Sequence, residues 1–105
     1  MPQAQRGELW MIDPGMVQKP RPCVVLSIAC LDHERAVVSF VPRTNTLRAT
    51  RFEEPHRARG LEDGAFDAQG IGSVPIVKLE RHLGTVEPAV VQRVEQAVKL
   101  WLNLP

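Results

Sequence analysis

Apolar residues in this chain fall in short runs that proline, glycine or charge interrupts, until the C-terminal segment, where the period changes. Gly7-Glu8-Leu9-Trp10-Met11-Ile12-Asp13 is the first run and ends at Pro14-Gly15, a pattern that predicts a strand and then a turn. Pro20 and Pro22 bracket Arg21 and restrict the backbone ahead of the next strand. Cys23-Val24-Val25-Leu26-Ser27-Ile28 is continuous and rich in β-branched residues, as in a strand covered on both faces. The polar break Asp32-His33-Glu34-Arg35 leads into Ala36-Val37-Val38-Ser39-Phe40-Val41, and the two runs predict an antiparallel hairpin with His33 in its turn. Pro42 closes that strand, and Arg43-Thr44-Asn45-Thr46 reads as a polar exit loop. Residues 50–53 alternate like a half-exposed strand, 55–64 read as loop, and 71–79 as a bulged or edge strand because of Gly72 and Pro75.

The period then switches. Gly84 breaks the chain, Pro88 suits the first turn of a helix, and Val91, Val94, Val98, Trp101 and Leu102 form one apolar stripe at helical spacing. Gln92, Arg93, Glu95, Gln96 and Lys99 occupy the other side. This polar face is not strongly basic, so the stripe predicts core or subunit contact and not membrane binding. Five or six short strands and one terminal helix predict a mainly β domain, an SH3-like barrel capped by the helix, with residues 1–105 as a single domain.

At 105 residues there is little room for a second domain, and the modest core makes dimerisation a natural source of further buried area. Hydrophobic residues at 44% and charged residues at 24% are ordinary for a globular domain, and no apolar run has the length of a membrane span. Met1 to Arg6 is polar and lacks the apolar stretch of a signal peptide, so a cytoplasmic location is expected. Cys23 and Cys30 match no metal or disulfide framework, and two reduced structural thiols are expected. The net charge of +1 makes the molecule no general polyanion binder, but residues 19–59 hold eight basic residues against four acidic ones. A local basic patch of this kind is compatible with a short nucleic-acid segment, and equally with a solvated charged face.

Three blocks, Gly7 to Asp13, Arg21-Pro22-Cys23-Val24-Val25-Leu26-Ser27 and Val41-Pro42-Arg43-Thr44-Asn45-Thr46, resemble the MazF/PemK toxin pattern in order. Gly64-Ala65-Phe66-Asp67-Ala68-Gln69 and Leu79-Glu80-Arg81-His82-Leu83-Gly84-Thr85-Val86 look like that family's later blocks, so the resemblance covers nearly the whole chain. It implies the toxin half of a type II toxin–antitoxin pair: a homodimer that cleaves single-stranded RNA at short motifs, without metal or cofactor. It also implies a cognate antitoxin that lays an extended tail over the RNA groove.

Cleavage of this kind uses the substrate's 2′-hydroxyl against the adjacent phosphate. The protein must stabilise charge on the phosphorane, a task that suits a guanidinium. Arg21 matches the Arg of the family's Arg-Pro motif, and its flanking prolines favour preorganisation. Thr44 matches the family's functional threonine and is expected to position a phosphate or the 2′-hydroxyl, since a threonine is a poor base. Asn45 and Thr46 are expected beside it on the RNA, with Lys19, Arg43 and Arg48 along the phosphates. The Arg and Asp that some members carry after the Gln block are missing from Gln69-Gly70-Ile71-Gly72-Ser73-Val74-Pro75. His56, with a suitable intrinsic pKa, is the substitute candidate for proton transfer. Trp10, Phe40, Phe52, Phe66 and Trp101 read mostly as core, which leaves base recognition to loop hydrogen bonds. Two other classes fit the same fold: a CcdB-like toxin that inhibits DNA gyrase through its C-terminal end, and a non-catalytic barrel that binds RNA or protein.

Overall fold

A computed structural model describes residues 3–15 and 19–105. Seven strands, β1 (Glu8–Ile12), β2 (Arg21–Val25), β3 (Val37–Thr44), β4 (Glu53–His56), β5 (Gly64–Asp67), β6 (Gly72–Pro75) and β7 (Leu79–Thr85), precede helix α1 (Pro88–Leu102). Every ladder is antiparallel, in the order β4-β5-β3-β2-β1-β7, and β6 also pairs with β3.

The continuous apolar run of β2 has its reason in this arrangement. Leu9, Val24 and Val41 stand opposite one another across β1, β2 and β3 and face the helix side, with Phe66, Val94 and Val98. The alternate residues Trp10, Ile12, Cys23, Val25 and Phe40 face the other way and join Val74, Ile76 and Leu79. A strand between two cores has no polar face to show.

β3 is long because it serves two partners on one edge. Its first half pairs with β6, from Val37↔Pro75 to Phe40↔Gly72, and its end pairs with β5 through Arg43↔Phe66 and Thr44↔Ala65. Among the described residues no ladder joins the sheet's outer strands, so the expected barrel is an open sheet by its pairing.

The helix begins with Pro88 in its first turn and ends at Asn103, which caps it in the left-handed conformation at φ 56°. Val90, Val91, Val94 and Val98 are its buried face. Trp101 and Leu102 were expected to extend that face, but they are 43% and 46% exposed. Trp101 meets Phe52 edge-on, with ring centroids 5.3 Å apart.

Other expectations shift. Pro42 does not close the third strand, which runs on through Arg43 and Thr44 because β5 pairs with its end, and the second strand is Arg21–Val25 instead of 23–28. The strand read at 50–53 lies at Glu53–His56, because Thr50 makes a turn in which its carbonyl accepts the Glu53 N–H. Pro55 is tolerated there since β4 is an edge strand. Gly64–Asp67, at the end of the predicted loop, is a strand. The predicted strand at 71–79 is two strands divided by a 3-10 turn over Ile76–Lys78.

Gly64 marks a close approach. A Cβ there would lie 2.7 Å from both Arg43 Nη1 and the Thr44 carbonyl oxygen. Gly64→Ala should lower stability by about 1–3 kcal/mol in denaturant titration, the usual cost of overpacking a filled site. An unchanged midpoint would show that β5 can move away from β3 at no cost.

Candidate active site

The ladder between β2 and β3 stops at Cys23↔Pro42. Beyond it, proline nitrogens carry no hydrogen to donate, and the end of β3 is held by β5 on its far side. The start of β2 and the end of β3 are therefore unpaired toward each other, and a cleft of about 520 Å³ opens at this point. Arg21, Pro22, Thr44, Asn45 and Thr46 line it, and Gly60, Leu61 and Glu62 form its other wall.

The structure thus brings Arg21 and Thr44 to one cleft, both half-buried. Among the described residues the Arg21 guanidinium makes no hydrogen bond or ion pair, so its donors are not consumed by the fold. The Thr44 hydroxyl oxygen accepts the Thr46 backbone N–H at 3.0 Å. That turn fixes the oxygen and leaves the hydroxyl hydrogen to donate elsewhere. An uncommitted cation beside a directed donor suits a phosphate group.

Arg43 does not have the role expected of it. Although it borders the cleft, it is 4% exposed and works inward. Nε donates to His56 Nδ1 at 2.9 Å, and Nη2 donates at 2.7 Å to the carbonyls of His56 and Glu62. The guanidinium is consumed in pinning the 57–63 loop, the far wall of the cleft, to β3 and β4.

His56 is corrected by the same contacts. It is absent from the cleft lining, its ring packs 4.6 Å from that of Phe66, and its Nδ1 is already an acceptor. Burial first, then the Arg43 cation, hold its pKa below the ordinary 6.5, against an opposing pull from Glu87. The folded protein resists this proton more than the unfolded chain does. The stability tied to neutral His56 is complete above about pH 6.5 and is lost as the pH falls below it. Denaturant midpoints should drop between about pH 7 and pH 5.5, and His56→Gln, whose amide oxygen can still accept from Arg43, should flatten that drop. The same slope in the variant would assign the effect to another group.

Several residues of the basic stretch are engaged within the protein. Arg43 is internal, Arg48 is tied to Glu53, Arg57 pairs with Asp63 at 3.4 Å, and Arg51 lies over the Phe52 ring. Lys19 is exposed and, like Arg48, stands outside the cleft lining. Asn45 does line it, and bridges to the opposite wall by donating to Glu62 Oε2 at 3.0 Å. Gly60, Leu61 and Glu62 carry no sequence signal of a site, and tertiary contacts place them there: the Arg43 pin, the Asn45 bridge to Glu62 and the packing of Leu61 on the helix-side core.

Both cysteines are free thiols. Burial pushes the Cys23 pKa up to about 12, which removes it from thiolate chemistry, and the Cys30 thiol donates to the Val37 carbonyl. His82 stacks on Trp10 with ring centroids 4.9 Å apart, and no described helix is long and apolar enough to cross a membrane.

An antiparallel sheet with one C-terminal helix, with a cation and a donor hydroxyl on one cleft where two strands part, defines a small mainly β domain. Residues 5–102 match the family described as the PemK-like, MazF-like toxin of type II toxin–antitoxin systems, and the chain belongs to that family. Among solved structures, an endoribonuclease from a mycobacterial species superposes with a TM-score of 0.81 at 24% identity, covering 100% of this chain and 96% of that one. An endoribonuclease in complex with its cognate antitoxin, also mycobacterial, gives 0.82 at 24% identity over 97% of each chain. MazF from Deinococcus radiodurans gives 0.82 at 20% identity over 99% of this chain and 100% of that one. At these identities the structures establish the fold.

Proposed function

We propose that this protein is the toxin of a type II toxin–antitoxin system and a sequence-selective endoribonuclease of single-stranded RNA. The observation that carries the reading is the meeting of Arg21 and Thr44 on one open cleft, the first without a partner among the described residues and the second with its hydroxyl hydrogen to give. In the reaction the substrate's O2′ bonds to phosphorus and the P–O5′ bond breaks, leaving a 2′,3′-cyclic phosphate and a 5′-hydroxyl. The 2′ oxygen loses its proton and the 5′ oxygen gains one. Arg21 holds the phosphoryl oxygens as charge gathers on them, and Thr44 donates to one of them.

Because a guanidinium supplies the positive charge, the reaction needs no divalent ion. Purified protein incubated with a long RNA in EDTA should produce discrete fragments with 5′-hydroxyl ends. Intact RNA, or fragments with 5′-phosphates, would overturn the reading. The family and the antitoxin-bound relative support a cognate antitoxin as partner, and a homodimer in the cytoplasm is part of the same proposal.

One observation favours a second reading, poisoning of a protein target such as gyrase. Leu100, Trp101, Leu102 and Leu104 stand exposed together at the C-terminal end. Toxicity that survives Arg21→Ala and is lost in Trp101→Ala would establish it.

A further inference from the structure

A second cleft of about 500 Å³ lies beside the first, and Arg21 lines both. Pro14, Phe40, Pro42, Asp67, Gly70 and Gly72 form most of its wall. Its chemistry is unlike that of its neighbour. The edge of the largely buried Phe40 ring and the prolines make part of the lining apolar, and the carboxylate of Asp67 repels a phosphate.

Asp67 is half-buried, and among the described residues it forms no ion pair. Its Oδ1 accepts the Gln69 backbone N–H at 3.1 Å, which fixes the carboxylate in place. Its Oδ2 lies 3.8 Å from the point where a side chain at Gly70 would begin, and that side chain would also strike Pro42 Cγ at 2.8 Å. Glycine at 70 therefore leaves the carboxylate open to the cleft.

We propose that this cleft is a nucleobase subsite in which Asp67 selects guanine. The inference rests on the nuclease reading above. The Watson–Crick edge of guanine presents two adjacent donors, N1–H and the 2-amino group, which a carboxylate accepts together. Adenine and cytosine each set a ring nitrogen acceptor beside their amino group, and uracil flanks its one N–H with two carbonyls, so each brings an acceptor against the carboxylate. Arg21 on the shared rim holds the reacting phosphate, so the base in the second cleft belongs to a nucleotide flanking the cut.

Cut sites mapped for the full chain on a long mixed RNA in EDTA should share guanine at one fixed position next to the break. Cutting without guanine there overturns the inference and leaves the nuclease reading standing, whereas no cutting at all overturns both. Oligonucleotides with guanine or adenine at that position then test Asp67 itself. The full chain should cut the guanine substrate about 10- to 100-fold faster, the discrimination a good bidentate pair supplies. Asp67→Asn keeps an oxygen for the Gln69 N–H, so it should melt with the parent protein while the guanine-to-adenine ratio falls below about threefold. If the variant instead slows both substrates by one factor and keeps the ratio, Asp67 acts in proton transfer or folding, and the inference fails.

Discussion

Arg21→Ala should reduce RNA cleavage by about a thousandfold while leaving the melting temperature unchanged within a degree or two. The two halves of this expectation come from one fact. Among the described residues Arg21 donates to no other part of the protein, so its loss removes no internal contact. Its only remaining partner is the charge that develops on the phosphorane, and removing one preorganised donor from such a charge costs about a hundred- to a thousandfold. A guanidinium with its full positive charge belongs at the upper end of that range. Arg21→Lys should recover only part of the rate, since an ammonium supplies charge without the planar fork. Thr44→Val should slow cleavage less than Arg21→Ala, by about ten- to a hundredfold, because it deletes a neutral donor. A fall in melting temperature with Arg21→Ala, or cleavage at the parental rate, would contradict the assignment.

Arg43→Met should do the reverse, with stability as its main casualty. The side chain is buried, and three of its bonds go to His56 Nδ1 and to the carbonyls of His56 and Glu62. Methionine fills much of the volume and satisfies none of these acceptors, and breaking such a buried network costs about 3–5 kcal/mol. For a domain of this size that is a fall of more than about 10 °C in melting temperature. The 57–63 loop loses its pin in the same step, so the surviving folded protein should bind RNA more weakly, with KM raised more than kcat is lowered. If Arg43→Met melts with the parent and loses only affinity, Arg43 contacts RNA after all.

The contrast between these two arginines shows how far local pattern reaches. Both lie beside a proline near a strand end, and although Arg21 has a proline on each side, that local difference does not say which guanidinium is buried. Arg21 starts a strand on the open side of the sheet, whereas Arg43 is one residue past Pro42, on the face that β5 and the 57–63 loop cover. Strand alternation decides which side chain turns inward, and which face is inward depends on the partner strand. The loop histidine His56 was misread for the same reason, because its solvent is replaced by Arg43 and Phe66 from elsewhere in the chain.

The chain's own pattern located the first three strands approximately and the helix with its Pro88 start, and the family resemblance singled out Arg21 and Thr44 as the pair worth testing. Those features are local, since they depend on side-chain periodicity, on proline geometry and on short motifs. Tertiary structure alone decided that the ladder between β2 and β3 ends where the cleft begins, that Arg43 is a buried pin, and that Asp67 opens on a second cleft beside Arg21. Each of those depends on contacts between residues far apart in the chain, where burial and unmet hydrogen bonds outweigh any preference a single residue carries.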